Sequence, residues 1–483
     1  MKILQYYLAC LSHASYMIID EKTKTAVVVD PQRDIDQYIA DATAGGYSIK
    51  HVFLTHFHAD FIAGHIELRN KAGAIIHLGR RAQAEFEYVS MKEGDQLEFG
   101  DVRLKILETP GHTPEGISIL VYDLAKNSHD PLAVLTGDTL FIGDVGRPDL
   151  LASIGVTADE LADMLFESIT HKLIKLPDAT LVYPAHGAGS MCGKALSKET
   201  FSTIGEQKKF NYALQPMSRE RFKEMVTADQ PEAPEYFLYD AILNRQERPA
   251  LGDSMQKTLK PLSVNEVLRM QKEGAQILDV RDGIDFEGGH LKGALNVALS
   301  GKYATWAGSI LNHEKPIVVI AEESSSIDAD EKAQEAMMRL GRIGFDNIAG
   351  YLAGGMLATV TRDDLVERTE RITALALAEW LAGSRSDAGN KPVVLDVRSE
   401  AEHASGHISG SINIPLPHLK DRAGELPAEQ TVVVHCEGGY RSAIAASLMQ
   451  KLRRRDVRDL VGGFKAWLTV KHPVVTDIAS TRD

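Results

Sequence analysis

Two stretches in the second half of the chain repeat each other closely enough to fix its architecture. Ile277-Leu-Asp-Val-Arg281 returns as Val394-Leu-Asp-Val-Arg398, and Gly289-His-Leu-Lys-Gly-Ala-Leu-Asn-Val297 returns as Gly406-His-Ile-Ser-Gly-Ser-Ile-Asn-Ile414. Asp279 precedes His290 by 11 residues, as Asp396 precedes His407. Each copy continues into an apolar strand, Pro316 to Ile320 and Thr431 to Val434, then a helix, then a glycine pair, Gly354-Gly355 and Gly462-Gly463. Self-similarity of this kind, with short apolar runs alternating with helical stretches, means a duplicated α/β domain.

The copies separate at the residues just after the apolar strand. The later one reads His435-Cys436-Glu437-Gly438-Gly439-Tyr440-Arg441-Ser442 and the earlier one Ile320-Ala321-Glu322-Glu323-Ser324-Ser325-Ser326-Ile327. A cysteine at the end of a strand, on a Gly-rich turn entering a helix, meets several backbone N–H donors and the positive helix end, which favour thiolate over thiol. Arg441 adds a fixed charge. Cys436 and Arg441 are therefore the candidate catalytic pair, with Glu437, Gly438, Gly439 and Tyr440 as the loop that cradles the sulfur. In the earlier copy Ala321 aligns with the cysteine and Ser326 with the arginine, so that repeat is expected to be inactive and to contribute interface and spacing. Asp279/Arg281 and Asp396/Arg398 occur in both copies whether or not the cysteine does, and are read as structural ion pairs.

The first half carries a different chemistry. Thr55-His56-Phe57-His58-Ala59-Asp60-Phe61 comes directly after the apolar run Val52, Phe53, Leu54, so its histidines sit on a loop at the carboxyl end of a buried strand, where α/β folds place their chemistry. Two histidines and an acid on one turn offer ligands suited to zinc or non-haem iron. Three further strand-then-turn segments occur in order: Thr109-Pro-Gly-His112-Thr113, Leu135-Thr-Gly-Asp138-Thr139 and Tyr183-Pro-Ala-His186-Gly187. Strand-like runs lie at Ala26 to Asp30, Val102 to Leu107, Ile117 to Val121 and Ala133 to Leu135. Helical spacing appears from Ile35 to Gly45 and from Ala158 to Lys175, and residues 201 to 227 are mostly helical. The pattern is that of an α/β layered fold.

Length sets the domain count: 483 residues suggest roughly three domains. Around Gln230 to Lys260 the pattern thins into Pro231, Pro234, Pro249 and Gly252, which gives boundaries of 1–235, a linker at 236–260, and repeats at 261–368 and 369–483. A net charge of −14 argues against nucleic acid or an anionic membrane surface as partner; Lys451, Arg453, Arg454 and Arg455 read as a solvated helix end. Three cysteines, Cys10, Cys192 and Cys436, make no disulfide framework and fit a reducing cytoplasm. Met1 to Gln5 reads as a first strand, and no run of 18 apolar residues occurs, so neither export nor a membrane span is expected.

The order H-x-H-x-D, G-H-T, T-G-D and Y-P-A-H resembles the metallo-β-lactamase superfamily, above all its glyoxalase II and persulfide dioxygenase branch. That resemblance implies an αββα sandwich. Binuclear members continue the first motif with a histidine where this chain has Phe61, which cannot ligate. The residues matching the single iron of persulfide dioxygenases, His56, His112 and Asp138, are present, two histidines and a carboxylate with open positions. On this reading His58 and Asp60 orient ligands, His186 lines the pocket, and Cys192 is either a small buried hydrophobe or a thiol beside the metal. The L-D-V-R, G-H-I-x-G-x-x-N-I and G-G-F-x-A-W elements resemble rhodanese domains over residues 261 to 475. The six-residue loop from Cys436 to Arg441 resembles that of sulfurtransferases.

Together the resemblances imply a bifunctional sulfur enzyme with one Fe(II) per chain. Low-molecular-weight persulfide and O2 would give sulfite and thiol in the first half, and a persulfide on Cys436 would exchange sulfane sulfur with sulfite or thiosulfate. A homo-oligomer is expected. The rivals are a zinc-dependent glyoxalase II-like thioester hydrolase with an appended sulfurtransferase, and a non-catalytic sulfur sensor or carrier.

Overall fold

The computed structural model describes residues 1–150, 155–228, 230, 232–252, 255, 259–321, 329–383, 391–454 and 456–477. Ser326 and its neighbours in the earlier repeat, Arg455 of the basic cluster, and Pro231 lie outside the described residues. The chain divides into two compact units, Met1–Gln256 with Leu340–Asp346, and Lys257–Arg339 with Asn347–Asp483.

The first unit holds two six-stranded sheets. One runs in chain order through Lys2–Leu8 (β1), His13–Asp20 (β2), Thr25–Val29 (β3), Ser48–Phe53 (β4), Ile75–Gly79 (β5) and Val89–Met91 (β6), antiparallel as far as β3 and parallel beyond. The other is formed by Gln96–Phe99 (β7), Val102–Glu108 (β8), Ile117–Asp123 (β9), Ala133–Gly137 (β10), Leu181–Pro184 (β11) and Ser202–Thr203 (β12), with β10 and β11 parallel. Side-chain alternation sorts the two faces of this second sheet. Ile117, Ile119 and Val121 join Tyr16, Val27 and Phe53 of the first sheet in one core, while Leu120, Tyr122, Val134 and Val182 point the other way, onto Leu165, Phe222 and Val226 of the helices Ala158–Glu167 and Arg219–Thr227. Every residue of β9 is buried because both of its faces are covered. Thr157 starts the first of those helices with a reciprocal capping box to Glu160.

The expected linker at 236–260 is not a linker over its first half. Tyr236–Leu243 is a helix with Tyr236, Phe237, Asp240 and Ala241 buried. Beyond it, the Asn244 amide donates to His58 O and Phe61 O at 2.8 Å each, and the Arg248 guanidinium pairs with Glu67 at 2.6 Å. The prolines around this stretch mask a segment whose apolar residues are recruited by tertiary packing. Residues 340–346 also belong to the first unit: buried Arg33 bonds Asp346 at 2.7 and 2.8 Å and Gly341 O at 2.6 Å, and Arg342 pairs with Asp34 at 2.6 Å.

The second unit contains two five-stranded parallel sheets of matching order. One is Pro261–Leu262, Ile348–Leu352, Ile317–Ile320, Gln276–Asp279 and Leu295–Asn296; the other is Glu370–Ile372, Val457–Leu460, Val432–His435, Val393–Asp396 and Ile412–Asn413. The duplicated α/β domain is present twice, side by side in one unit. Among the described residues no helix is long and apolar enough to cross a membrane.

Candidate functional site

Four loops at strand ends bring the first unit's ionisable side chains together. Asp30, just past β3 in a left-handed conformation (φ 51°), accepts the Thr55 backbone N–H at 2.7 Å and the Thr55 hydroxyl at 2.8 Å. That hydroxyl has no second hydrogen, so at 3.0 Å from His56 Nδ1 it accepts, and His56 Nε2 is left as a bare lone pair. His112 Nδ1 lies 2.9 Å from Arg147 O. A carbonyl only accepts, so His112 Nε2 is bare as well. Both face Asp138 Oδ2, at 3.7 Å from His56 and 3.4 Å from His112. Gly137 permits this approach: its φ is +52°, and a Cβ there would stand 2.4 Å from Thr55 Oγ1.

His56, His112 and Asp138 are buried and offer ligand atoms within 4.8 Å of one another. Both Asp138 carboxylate oxygens are buried without a hydrogen-bond partner among the described residues, an expensive arrangement unless a cation satisfies them. Two bare imidazole nitrogens and an orphaned carboxylate suit a first-row transition metal. A narrow cleft has all three residues in its lining, with Thr55, Thr113 and Thr139.

The remaining residues expected here divide. His58 packs its ring against those of His56 at 4.2 Å and Phe61 at 4.4 Å, with its Nε2 3.1 Å from Asp30 Oδ1. His186 Nε2 lies 3.5 Å from Asp60 Oδ2 and 3.6 Å from Asp138 Oδ2, with Nδ1 on Ser12 O at 3.1 Å. Burial alone would stop His186 from charging, but Asp138 and Asp60 hold it well above its ordinary value. Burial likewise works to raise Asp60, which the facing His186 keeps down at about 2. Cys192 is buried in the same group, within 4.8 Å of Asp60 and His186 ligand atoms, and burial pushes its thiol up to about 12. Cys192 is thus packed into the interior beside Asp60 and His186. Phe61, fully buried, packs on His13 at 4.1 Å.

Sequence reading missed three supports: Asp30, His13 from β2, and Glu115, whose Oε1 accepts the Phe57 N–H at 3.1 Å. Asp30 did leave a signal, an acid at the end of an apolar strand like Asp138. His13 opens β2 and Glu115 lies in the turn before β9, three residues past His112; neither left a signal.

The second site is the loop after Val432–His435. Cys436 Sγ accepts the Gly439 backbone N–H at 3.1 Å, and Gly439 (φ 116°) reaches it through a conformation that favours glycine. From the paired-glycine motif, Phe464 N–H donates to Cys436 O at 2.8 Å and Lys465 N–H to Glu437 O at 3.0 Å, while Gly463 comes so close that a Cβ would meet Cys436 O at 2.5 Å. Arg441 is held by two bonds of 2.7 Å to Glu402, so its charge arrives already paired. Glu437 approaches Arg398 at 3.4 Å, and Gly438 is exposed. The Tyr440 side chain leaves the cradle and donates to Ala298 O of the earlier repeat at 2.8 Å. In that repeat Ala321 is buried, 2% exposed, at the end of its strand.

Residues 9–186 match the Metallo-beta-lactamase superfamily, and residues 263–361 and 377–469 match the Rhodanese-like domain. The chain is similar to a metallo-beta-lactamase of known crystal structure from Staphylococcus aureus subsp. aureus COL, with 32% identity, a TM-score of 0.64, and 72% of this chain and 98% of that one covered. It is 28% identical to the mitochondrial persulfide dioxygenase ETHE1 of Bos taurus over 45% of this chain and 78% of that protein. It is 30% identical to a hydroxyacylglutathione hydrolase of Dictyostelium discoideum over 36% of this chain, spanning 61% of that protein's length.

Proposed function

We propose, for a chain that belongs to the metallo-beta-lactamase superfamily and carries two rhodanese-like domains besides, a bifunctional enzyme of sulfur metabolism. The first unit oxidises a low-molecular-weight persulfide and the later repeat transfers sulfane sulfur. The observation that carries the first half is the triad itself: His56, His112 and Asp138 converge into one three-ligand site, while buried Phe61 stands where binuclear relatives would need a ligand for a second metal. One ferrous ion held by these residues supplies redox chemistry toward O2 and a Lewis acid for sulfur. Asp30, acting through Thr55, fixes the tautomer of His56, and Arg147 O fixes that of His112. The overall conversion balances as one persulfide, one O2 and one water giving one thiol and one sulfurous acid. In the later repeat the Cys436 thiolate attacks the sulfane sulfur of a donor such as a low-molecular-weight persulfide, whose S–S bond breaks to release the donor's thiolate, carries that sulfur as a persulfide, and yields it to a nucleophilic acceptor such as sulfite, giving thiosulfate and regenerated thiolate.

A zinc thioester hydrolase is the second reading, favoured by the hydroxyacylglutathione hydrolase relatives and by the Asp60, His186 pair. Metal analysis of anaerobically purified protein, with oxygen uptake on a persulfide, separates the two. The expected result is one iron per chain and uptake that His112→Ala abolishes. Two zinc ions per chain with thioester hydrolysis and no uptake would overturn the first reading.

A further inference from the structure

Within the second unit the helix Tyr440–Lys451, which begins at the nucleophile loop, meets the earlier repeat along one face. Tyr440, Ala443, Ser447 and Gln450 are spaced three, four and three residues apart, which sets them in one row down a helix. A Cβ on Gly283 of the earlier repeat would stand 2.8 Å from that of Ala443, and the Asn296 N–H donates to Ser447 Oγ at 3.0 Å. Gln450 donates to Arg368 O at 2.9 Å and accepts the Thr369 hydroxyl at 2.9 Å, in the connection between the repeats. Tyr440 heads the row. Its hydroxyl donates to Ala298 O at 2.8 Å, and its ring lies so close to Gly301 that a Cβ there would stand 2.2 Å from Cε2.

The segment that receives Tyr440 is braced within its own repeat. Leu299 N–H donates to Val280 O at 3.2 Å, Arg339 Nη1 to Leu299 O at 2.9 Å, and the Ser300 hydroxyl to Asp282 Oδ1 at 2.7 Å. Tyr440 therefore rests on a fixed ledge, Ala298 to Gly301, that belongs to the repeat without a nucleophile. The nucleophile loop needs such a hold in its second half. Its first half is clamped by the later repeat itself, through the Phe464 and Lys465 N–H groups on Cys436 O and Glu437 O. Gly438 and Gly439 come next, with open space where a side chain would stand, and paired glycines leave the backbone free to turn. Yet the Gly439 N–H is the group that donates to Cys436 Sγ, at 3.1 Å. A hydrogen bond weakens steeply as its angle closes, so rotation of that one peptide would lose the donor. Two contacts oppose the rotation, the Ser442 hydroxyl on Gly439 O at 3.0 Å and the next residue, Tyr440, on its ledge.

We propose that the earlier repeat, through the Ala298–Gly301 ledge, positions the Gly439 N–H against the sulfur of Cys436, and that Tyr440 is the positioning residue through which it does so. The repeat that lost its nucleophile is thereby part of the working site of the repeat that kept one. The proposal rests on Cys436 being the reactive thiol of the later repeat, whichever sulfur compound it carries.

The test is the rate constant for alkylation of Cys436 by iodoacetamide in the full chain, followed by mass spectrometry of its peptide across the pH range, with the melting temperature of each variant recorded. Tyr440→Phe keeps the ring and removes one hydroxyl. Loosening the Gly439 donor disfavours the thiolate, so the rising limb of the profile should move to higher pH by about half a unit, threefold in thiolate fraction at a fixed pH below the limb. Gly301→Ala, made in the other repeat, should push the ring off its ledge and move the limb the same way, and the double variant should move it no further than the larger single shift. Ser447→Ala is the control: it removes a bond of the same helix face two turns from the sulfur, and should lower the melting temperature while leaving the profile on that of wild type. A Tyr440→Phe or Gly301→Ala profile superimposed on wild type overturns the proposal, as does an equal shift in Ser447→Ala, which would make the contact one of stability alone. Where Gly301→Ala does not fold, Tyr440→Phe decides. If sulfur donors put no adduct on Cys436, the transfer reading fails while the alkylation profiles still decide this point.

Discussion

The two repeats of the second unit keep one charge pair in almost the same geometry. Arg281 meets Asp279 at 3.0 Å through Nε and 2.7 Å through Nη2, and Arg398 meets Asp396 at the same two distances. The same guanidinium nitrogen reaches Gly289 O at 2.8 Å in one copy and Gly406 O at 2.7 Å in the other. Asn296 and Asn413 donate to the backbone carbonyls of those same pairs. Even the paired glycines match, with φ of 75° and 53° against 74° and 60°. The copies part just past matching strands, where Ala321 stands in one and Cys436 in the other. Everything shared is scaffold, and the chemistry is confined to what differs.

Replacing the nucleophile should give the largest effect. After treatment with a sulfur donor, wild type should carry one sulfur adduct, in the peptide containing Cys436, and Cys436→Ser should reduce transfer by about three orders of magnitude or more. An equally stable adduct on Cys192 would break the contrast between the repeats and make that buried thiol a carrier. Next come the shared ion pairs. Asp279→Asn and Asp396→Asn each remove the nearest countercharge of a buried guanidinium and should cost about 3 kcal/mol of stability apiece in urea unfolding. A cost confined to Asp396→Asn would mean the pair serves the chemistry and not the fold.

The smallest effect concerns Arg441 and Glu402, a pair the earlier repeat lacks, having Asp285 and Ser326 at those positions. Burial works to raise Glu402, but the Arg441 bonds and the Ser399 backbone N–H bring its carboxyl from an ordinary 4.5 to about 2. A depressed carboxyl contributes stability above its unfolded value, lost as pH falls through the folded one. The pair should therefore weaken between about pH 4.5 and pH 2, by under about 1 kcal/mol because it is half exposed. Acid melting curves of wild type and Glu402→Gln should converge in that window.

The sequence was most legible where chemistry is local. Phe61 beside Asp60, Ala321 at a strand end and Cys436 before Gly438-Gly439 can each be read within a few residues, and the triad could be assembled because each ligand comes after its own apolar strand. Groups that act across the fold stayed hidden. Glu287 looks like an ordinary surface acid until the fold buries it against Arg371 of the strand Glu370–Ile372, more than eighty residues on. Tyr440 read as part of the sulfur cradle because it lies in the loop, yet its hydroxyl is taken by Ala298 O. The helix Tyr236–Leu243 was obscured for a related reason: local proline content suggested a linker, while Tyr236 and Phe237 are buried by packing that no short window contains.

The most direct test of the whole account is the product released when the full chain is given persulfide and O2. On the proposed function, oxidation in the first unit would generate sulfite and the sulfur carried by Cys436 would convert it to thiosulfate, with tethering raising the local concentration of one site's product at the other. Wild type should release mainly thiosulfate, and Cys436→Ser should consume O2 at a similar rate while releasing mainly sulfite. Equal thiosulfate from both proteins, after correction for the uncatalysed reaction of sulfite with persulfide, would contradict the account.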